Sequence, residues 1–295
     1  MERNRTQMPN AAIGGVVAVL ALWMWSCDPS KKEKTTQTEA PAAYAYDYTK
    51  PTAKYEMPAV LKEISGISFY QENQLLCVQD EAGEAFVYDL AQQKIEKKHL
   101  FGPPDDYEDI VQVKDEIYAL RSDGKLFNFK WGDKQTREIE TDLPGKNDVE
   151  GLTYNPENNR LYLAVKEASK KATDKGDKLI YSFDLKRRAV YEELKLIESR
   201  FENAGLKGKD WKDFKPSGVA IQPQTGQVYL LSSAGHRLLV LSKNGSPLQN
   251  IELNPSTFRQ PEGICFAPNG TLYIASEGDG KKGYILQFSP ANSPL

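Results

Sequence analysis

From about residue 61 onward, apolar and polar positions alternate in short runs broken by Gly, Asn and Asp, and the pattern repeats. The segments "ISGISFYQENQLLCVQDEAGEAFVYDL", "YEDIVQVKDEIYALRSDGKLFNF", "VEGLTYNPENNRLYLAVKE", "PSGVAIQPQTGQVYLLSSAGHRLLVLS" and "PEGICFAPNGTLYIASEGDGKKGYILQF" align with one another. Each opens on Ser or Glu followed by Gly or Asp: Ser65-Gly66, Glu108-Asp109, Glu150-Gly151, Ser217-Gly218 and Glu262-Gly263. An apolar strand, a polar turn and a second strand centred on Leu76, Tyr118, Tyr162, Tyr229 or Tyr273 follow. A Gly-containing turn then leads to a third strand such as "AFVYDL", "LFNF" or "YILQF". Alternation with period two between turn residues predicts short antiparallel strands.

Most copies continue into a fourth strand, as in "KIEKKHL", "TREIETDL", "AVYEELKL" and "PLQNIEL". A repeated four-stranded unit of about forty to forty-five residues is a β-propeller blade. The expected fold is therefore all-β, a five-bladed propeller of four-stranded antiparallel blades. Spacing between corners is even except from Gly151 to Gly218, where "EASKKATDKGDK" and "ESRFENAGLKGKDWKDFK" are inserted. The second insert, with Phe201, Leu206, Trp211 and Phe214, predicts a short helix packed on one face, with a degenerate sixth blade as the alternative. After Phe288 only "SPANSPL" remains, so the last blade needs a strand from elsewhere. The segment from Tyr44 to Tyr55 is the natural donor, closing the ring and removing an exposed sheet edge.

The first strand of each propeller blade lines the central channel, so equivalent positions at its start form a ring around the axis. Glu108, Glu150 and Glu262 are three carboxylates on that ring, completed by Ser65 and Ser217. At about 5 Å and an effective dielectric near 20, each ionised pair repels by roughly 3 kcal/mol. Three pairs approach the net stability of a whole domain. A cation, shared protons or basic neighbours must compensate, and Lys166 and Arg121 lie at the ends of second strands. Hard oxygen ligands without thiolate or imidazole favour calcium, then magnesium, over zinc or copper. Glu167 and Glu277 end second strands and approach the axis from there; Asp80 and Glu81 are weaker candidates of the same kind.

The ends of the chain change the picture of where this domain works. Arg3 and Arg5 precede an uncharged apolar run from Ala11 to Trp25, then Ser26-Cys27. Residues 1–26 read as a lipoprotein signal peptide with Cys27 as the lipidated residue, or alternatively as an uncleaved anchor helix. Residues 27–53 read as a solvated tether and 54–295 as the propeller. The expected location is an exported, membrane-anchored one, on a periplasmic face or the cell surface. The formal charge is −3, and no basic stripe suggests nucleic acid. Cys77 and Cys265 sit in apolar strands, either as buried free thiols or as a disulfide. Neither His99, in a fourth strand, nor His236, in a turn, is placed as a base, and no nucleophile elbow, P-loop or EF-hand spacing occurs.

On the motifs "ISGI", "YEDI", "VEGLTY…LYLAVKE", "PSGVA…VYLLSS" and "PEGI…LYIASE", the chain resembles the SdiA-regulated family of bacterial propellers, distantly related to NHL-repeat proteins. That resemblance spans roughly Leu61 to Phe288 and implies a five-bladed propeller with a calcium site and no settled activity. Its acidic channel positions match Glu108, Glu150 and Glu262, with Glu167 and Glu277 beside them. Related propellers of the gluconolactonase, phosphotriesterase and paraoxonase kind hold a catalytic calcium among Asn, Asp and one Glu, whereas the ring here is three Glu and two Ser. Two functional expectations result. One is a calcium-holding, lipid-anchored propeller that binds or scaffolds an unknown protein or small-molecule ligand. The other is a calcium-dependent hydrolase of the lactonase, phosphotriesterase or phytase-like type, with Glu167 or Glu277 as general base.

Overall fold

The computed structural model describes residues 46–168 and 176–291. The leader, Cys27 and most of the expected tether lie outside these residues, as does the centre of the "EASKKATDKGDK" insert. No helix among the described residues is long and apolar enough to cross a membrane.

Chain order begins with β1 (Ala53–Glu56) and then runs blade by blade. Blade 1 is β2 (Ile64–Gln71), β3 (Gln74–Gln79), β4 (Glu84–Asp89) and β5 (Lys94–Leu100). Blade 2 is β6 (Tyr107–Val113), β7 (Glu116–Arg121), β8 (Leu126–Phe129) and β9 (Arg137–Ile139). Blade 3 is β10 (Asp148–Asn155), β11 (Arg160–Glu167), β12 (Lys178–Asp184) and β13 (Ala189–Leu196). Blade 4 is β14 (Gly218–Ile221), β15 (Val228–Ser232), β16 (Arg237–Leu241) and β17 (Pro247–Glu252). Blade 5 is β18 (Gln260–Phe266), β19 (Leu272–Glu277) and β20 (Tyr284–Phe288), with β1 as its outermost strand. The five sheets are each four-stranded and antiparallel, and the fold is the expected five-bladed propeller.

Among the described residues the core is divided into five clusters. Because both faces of each blade pack against a neighbour, alternate residues of one strand enter different clusters. In β19, Leu272 and Ile274 join Tyr229 and Leu231 of blade 4, while Tyr273 and Ala275 join Ile67 and Cys77 of blade 1. The middle strands are therefore apolar on both faces rather than on one. The insert between blades 3 and 4 forms two 3-10 turns and helix α1 (Lys209–Asp213). Phe201, Leu206, Trp211 and Phe214 are buried against both blades, as the sequence leads one to expect, and no further blade lies there. Cys77 and Cys265 share one cluster as buried free thiols.

Closure comes from the N-terminal side, with Ala53 opposite Gln287 and Glu56 opposite Tyr284. The donor strand is shorter and later than Tyr44–Tyr55, and its approach is itself packed. Tyr46 is buried between blades 4 and 5, and its hydroxyl donates to the Gly270 carbonyl at 2.7 Å. The packed chain therefore starts no later than Tyr46, ahead of the boundary at residue 54 drawn from composition. Two aromatic residues in "YAYDY" fill a seam that composition cannot show.

The repeated corners have a steric reason. A Cβ at Gly218 would sit 2.3 Å from the Glu262 carbonyl oxygen, and one at Gly151 2.8 Å from the Val219 amide. Inner strands of adjacent blades thus approach backbone to backbone. Blade 2 departs from the rule with Asp109, whose buried carboxyl accepts from the Ile110 amide at 2.8 Å and the Leu152 amide at 2.7 Å. Leu152 lies on the inner strand of blade 3, whose axial edge has no ladder partner. Asp109 supplies that partner, since an unpaired buried N–H is costly. Asp109→Ala is expected to cost about 3 kcal/mol, lowering the melting temperature by about 6 °C, with Asp109→Asn intermediate, as read by thermal unfolding.

Candidate functional site

The carboxylates gather where the inner strands begin. Antiparallel pairing sets Asp148 opposite Glu167 and Gln260 opposite Glu277, so ends of second strands meet starts of first strands on one face. Glu108, Asp148 and Glu150 each place a carboxylate oxygen within 4.8 Å of the others. Glu262 is hydrogen-bonded to Glu277 and lies close enough to Glu150 and Glu108 to feel their charge. Three carboxylates from three blades therefore share one axial neighbourhood.

Lys166, at the end of β11, is hydrogen-bonded into this neighbourhood through Glu150, while Lys215 acts on Asp148 and Lys62 on Glu277 from farther out. Burial works against the charge of Lys166, but the Glu150 bond and the nearby Asp148 and Glu108 outweigh it and raise its pKa. These ammoniums do not outweigh burial and the mutual repulsion of so many acids. Burial, then Glu150 and the two aspartates Asp106 and Asp148, push Glu108 up to about 9. Glu150, buried but bonded to Lys166, is pushed up to about 7. Burial and then Glu277 drive Glu262 well above the usual carboxylate range. Without another cation, protons and Lys166 together neutralise the ring.

A sequence model of SdiA-regulated proteins matches residues 40–279. The chain belongs to the SdiA-regulated family. No curated relative matches it. Among solved structures, a luciferin-regenerating enzyme is similar at 15% identity with a TM-score of 0.52, over 82% of this chain and 96% of that one. Myxococcus xanthus glutaminyl cyclase is similar at 13% identity with a TM-score of 0.56, over 81% of this chain and 95% of that one. At such identities these likenesses concern the fold.

Within this SdiA-regulated propeller, the predicted ring residues separate into four groups. Glu108 and Glu150 come together, and Glu262 and Glu277 form a pair beside them. Glu167 turns away: it is largely exposed and hydrogen-bonded to Lys215 of the insert, which holds its carboxyl below the usual range. Ser65 and Ser217 do not complete an ion-binding ring. Their buried hydroxyls donate, each at 2.9 Å, to the carbonyls of Tyr107 and Pro261 on the next blade. They satisfy inner-strand carbonyls by donating, as Asp109 satisfies inner-strand amides by accepting. Arg121 is likewise engaged elsewhere, with Asp105 and Asp123.

Asp148 is the member that sequence reasoning missed. Its signal was present: Asp106-Tyr107-Glu108 and Asp148-Val149-Glu150 repeat an Asp-x-Glu pattern at equivalent corners. Asp80 also proves more central than its turn position suggested. Burial, followed by Glu277 and Glu63, pushes it up to about 6.

Proposed function

We propose that this SdiA-regulated protein is an exported, lipid-anchored propeller that holds a calcium ion at its axis and uses that face for binding or scaffolding. The observation that carries the calcium reading is the cluster of Glu108, Asp148 and Glu150. Two ligand oxygens of one calcium ion lie at most about 5 Å apart, given bonds of 2.3–2.6 Å. The three carboxylates meet that limit, and all donors are oxygen, the chemistry calcium prefers. Magnesium, which demands near-ideal octahedral geometry, suits side chains from separate blades less well. The leader ending at Ser26-Cys27 supports export and lipidation.

Calcium entry would replace Lys166 and the ring protons as the compensating charge. The alternative hydrolase assigns its general base to Glu167 or Glu277. Glu167 is already bonded to Lys215 and Glu277 to Glu262, so a binding role is the better fit.

Calorimetric titration of the metal-free domain tests the site. We expect one calcium ion per chain, with protons released on binding and affinity rising from pH 6 to pH 8, about in proportion to the carboxylates freed. Glu150→Gln is expected to weaken binding at least about tenfold, and Lys166→Gln to strengthen it about as much by removing the competing cation. A heatless titration with unchanged melting would sink the calcium site. Weaker binding in Lys166→Gln would show that the lysine supports the ion.

A further inference from the structure

The opposite end of the axis is built differently. All five inner strands finish around a funnel of about 700 Å³, each contributing residues such as Ser68, Gln112, Thr153, Ile221 and Phe266. Inner strands rise about 3.3 Å per residue, so the four positions from Glu108 to Gln112 put this funnel about 13 Å from the acidic ring. The corner glycines, next to the ring carboxylates, belong to the acidic end, and the funnel at the far end of the same strands has a lining of its own.

Its walls are apolar, with Phe69, Phe266 and Ile221, and three of the turns at its mouth carry Pro156, Pro223 and Pro268. Among the described lining residues the only charges are Glu157 and Lys243, paired with each other at 2.6 Å. Rim amides are committed to their own turns. Gln222 Oε1 accepts from the amides of Gln224 at 2.8 Å and Thr225 at 2.7 Å. Asn155 Oδ1 accepts from the Glu157 amide at 3.0 Å. The mouth is thus held in shape before anything binds.

Two polar atoms are left over. Ser68 Oγ and Gln112 Oε1, on the adjacent strands β2 and β6, are buried and have no hydrogen-bond partner among the described residues. The Gln112 amide is oriented by its own Nε2, which donates to the Lys114 carbonyl at 2.7 Å, so its oxygen is the free end. Neither atom is open to the funnel as the side chains stand, but both residues line it, and a side-chain rotation that lets a ligand donor reach them would satisfy a buried acceptor that otherwise lacks one.

We propose that this funnel is a binding site for an uncharged small molecule with an aromatic or otherwise apolar body and a hydroxyl or N–H group donated to Ser68 and Gln112. The self-neutralised rim excludes a net charge on the ligand, because no unpaired ion would repay its desolvation. Aromatic and proline walls suit a flat apolar body, and the two acceptors fix its polar end. The acidic ring takes no part, so binding does not depend on calcium.

The fluorescent probe phenylnaphthylamine, uncharged with one N–H on an apolar body, tests this in the intact chain. It is expected to saturate at one per chain with the same affinity in calcium and in chelator. Its sulfonated analogue, anilinonaphthalene sulfonate, is expected to bind at least about tenfold more weakly, because its charge finds no partner. Ser68→Ala should weaken the uncharged probe about fivefold, the effect of one hydrogen bond. Gln112→Trp and Ile221→Trp fill the funnel from two different blades and should each abolish saturable binding, with folding checked by melting. Equal binding of the sulfonated analogue, or undiminished binding in a folded Trp variant, would overturn the proposal.

Discussion

A chain shortened to begin at Met57 is expected to lose cooperative folding, whereas one beginning at Pro41 retains it. The truncation removes β1, the four register pairs that join it to β20, and the flanking bond from the Thr52 amide to the Gln287 carbonyl at 2.7 Å. It also removes Tyr46 from the seam of blades 4 and 5, along with the partly buried Tyr48 and Tyr55. At about 2 kcal/mol for each aromatic side chain, the apolar loss alone is about 6 kcal/mol, comparable to the whole stability of many domains. β20 would then be an open edge with unpaired backbone groups, prone to pair with other chains. Thermal unfolding and size-exclusion chromatography read the result. A fall of more than about 10 °C with aggregation is expected, and a peptide spanning residues 41–56, added in trans, should restore part of it. Unchanged melting and a monomeric profile would refute closure by this strand.

The second large effect concerns pH. In the absence of metal, Glu108 keeps its proton up to about 9 and Glu150 up to about 7, both raised from an ordinary 4.5. Asp80 is raised to about 6 from 3.8. Over these windows the folded chain binds more protons than the unfolded chain, so stability is greatest at low pH and falls as pH rises through the folded values. Between about pH 5.5 and 8.5 the metal-free domain is expected to lose about 6 kcal/mol, seen as a melting temperature lower by about 12 °C. Glu108→Gln should flatten that decline and melt higher than the parent at the alkaline end. Calcium should flatten it as well, since it takes over the charge that protons neutralise, and at a hundredfold above its Kd it adds about 2.7 kcal/mol. Melting that rises with pH in chelator would show that the ring is not charge-frustrated.

Much of this was legible beforehand because a propeller writes itself as a repeat. Period-two alternation, Gly and Asn turns and the recurrent corner are local properties, and each survives in the blades at the predicted place. Recurrence alone also picked out Glu108, Glu150 and Glu262, since equivalent positions in a closed ring must face one axis. Cross-blade contacts are another matter. Glu167 looked like a ligand because it ends a second strand, yet Lys215, contributed by the insert before blade 4, takes its carboxylate. Nothing within blade 3 announces that partner. Ser65 and Ser217 occupy ring positions in sequence, but the spacing between inner strands lets their hydroxyls reach a neighbouring carbonyl instead of the channel.

The sequence by itself determined the number of blades, their strands, closure from the N-terminal side and the concentration of acids at one end of the axis. These follow from periodicity and from the geometry that any ring of equivalent units obeys. Only the tertiary structure decided which acids meet, that Lys166 sits among them, and that Asp109, Ser65 and Ser217 serve the unpaired inner edges. It also decided that the far end of the axis opens into a charge-balanced funnel lined by Ser68 and Gln112, each with an unpartnered acceptor. Those facts depend on distances between blades, which long-range packing sets and no local pattern encodes.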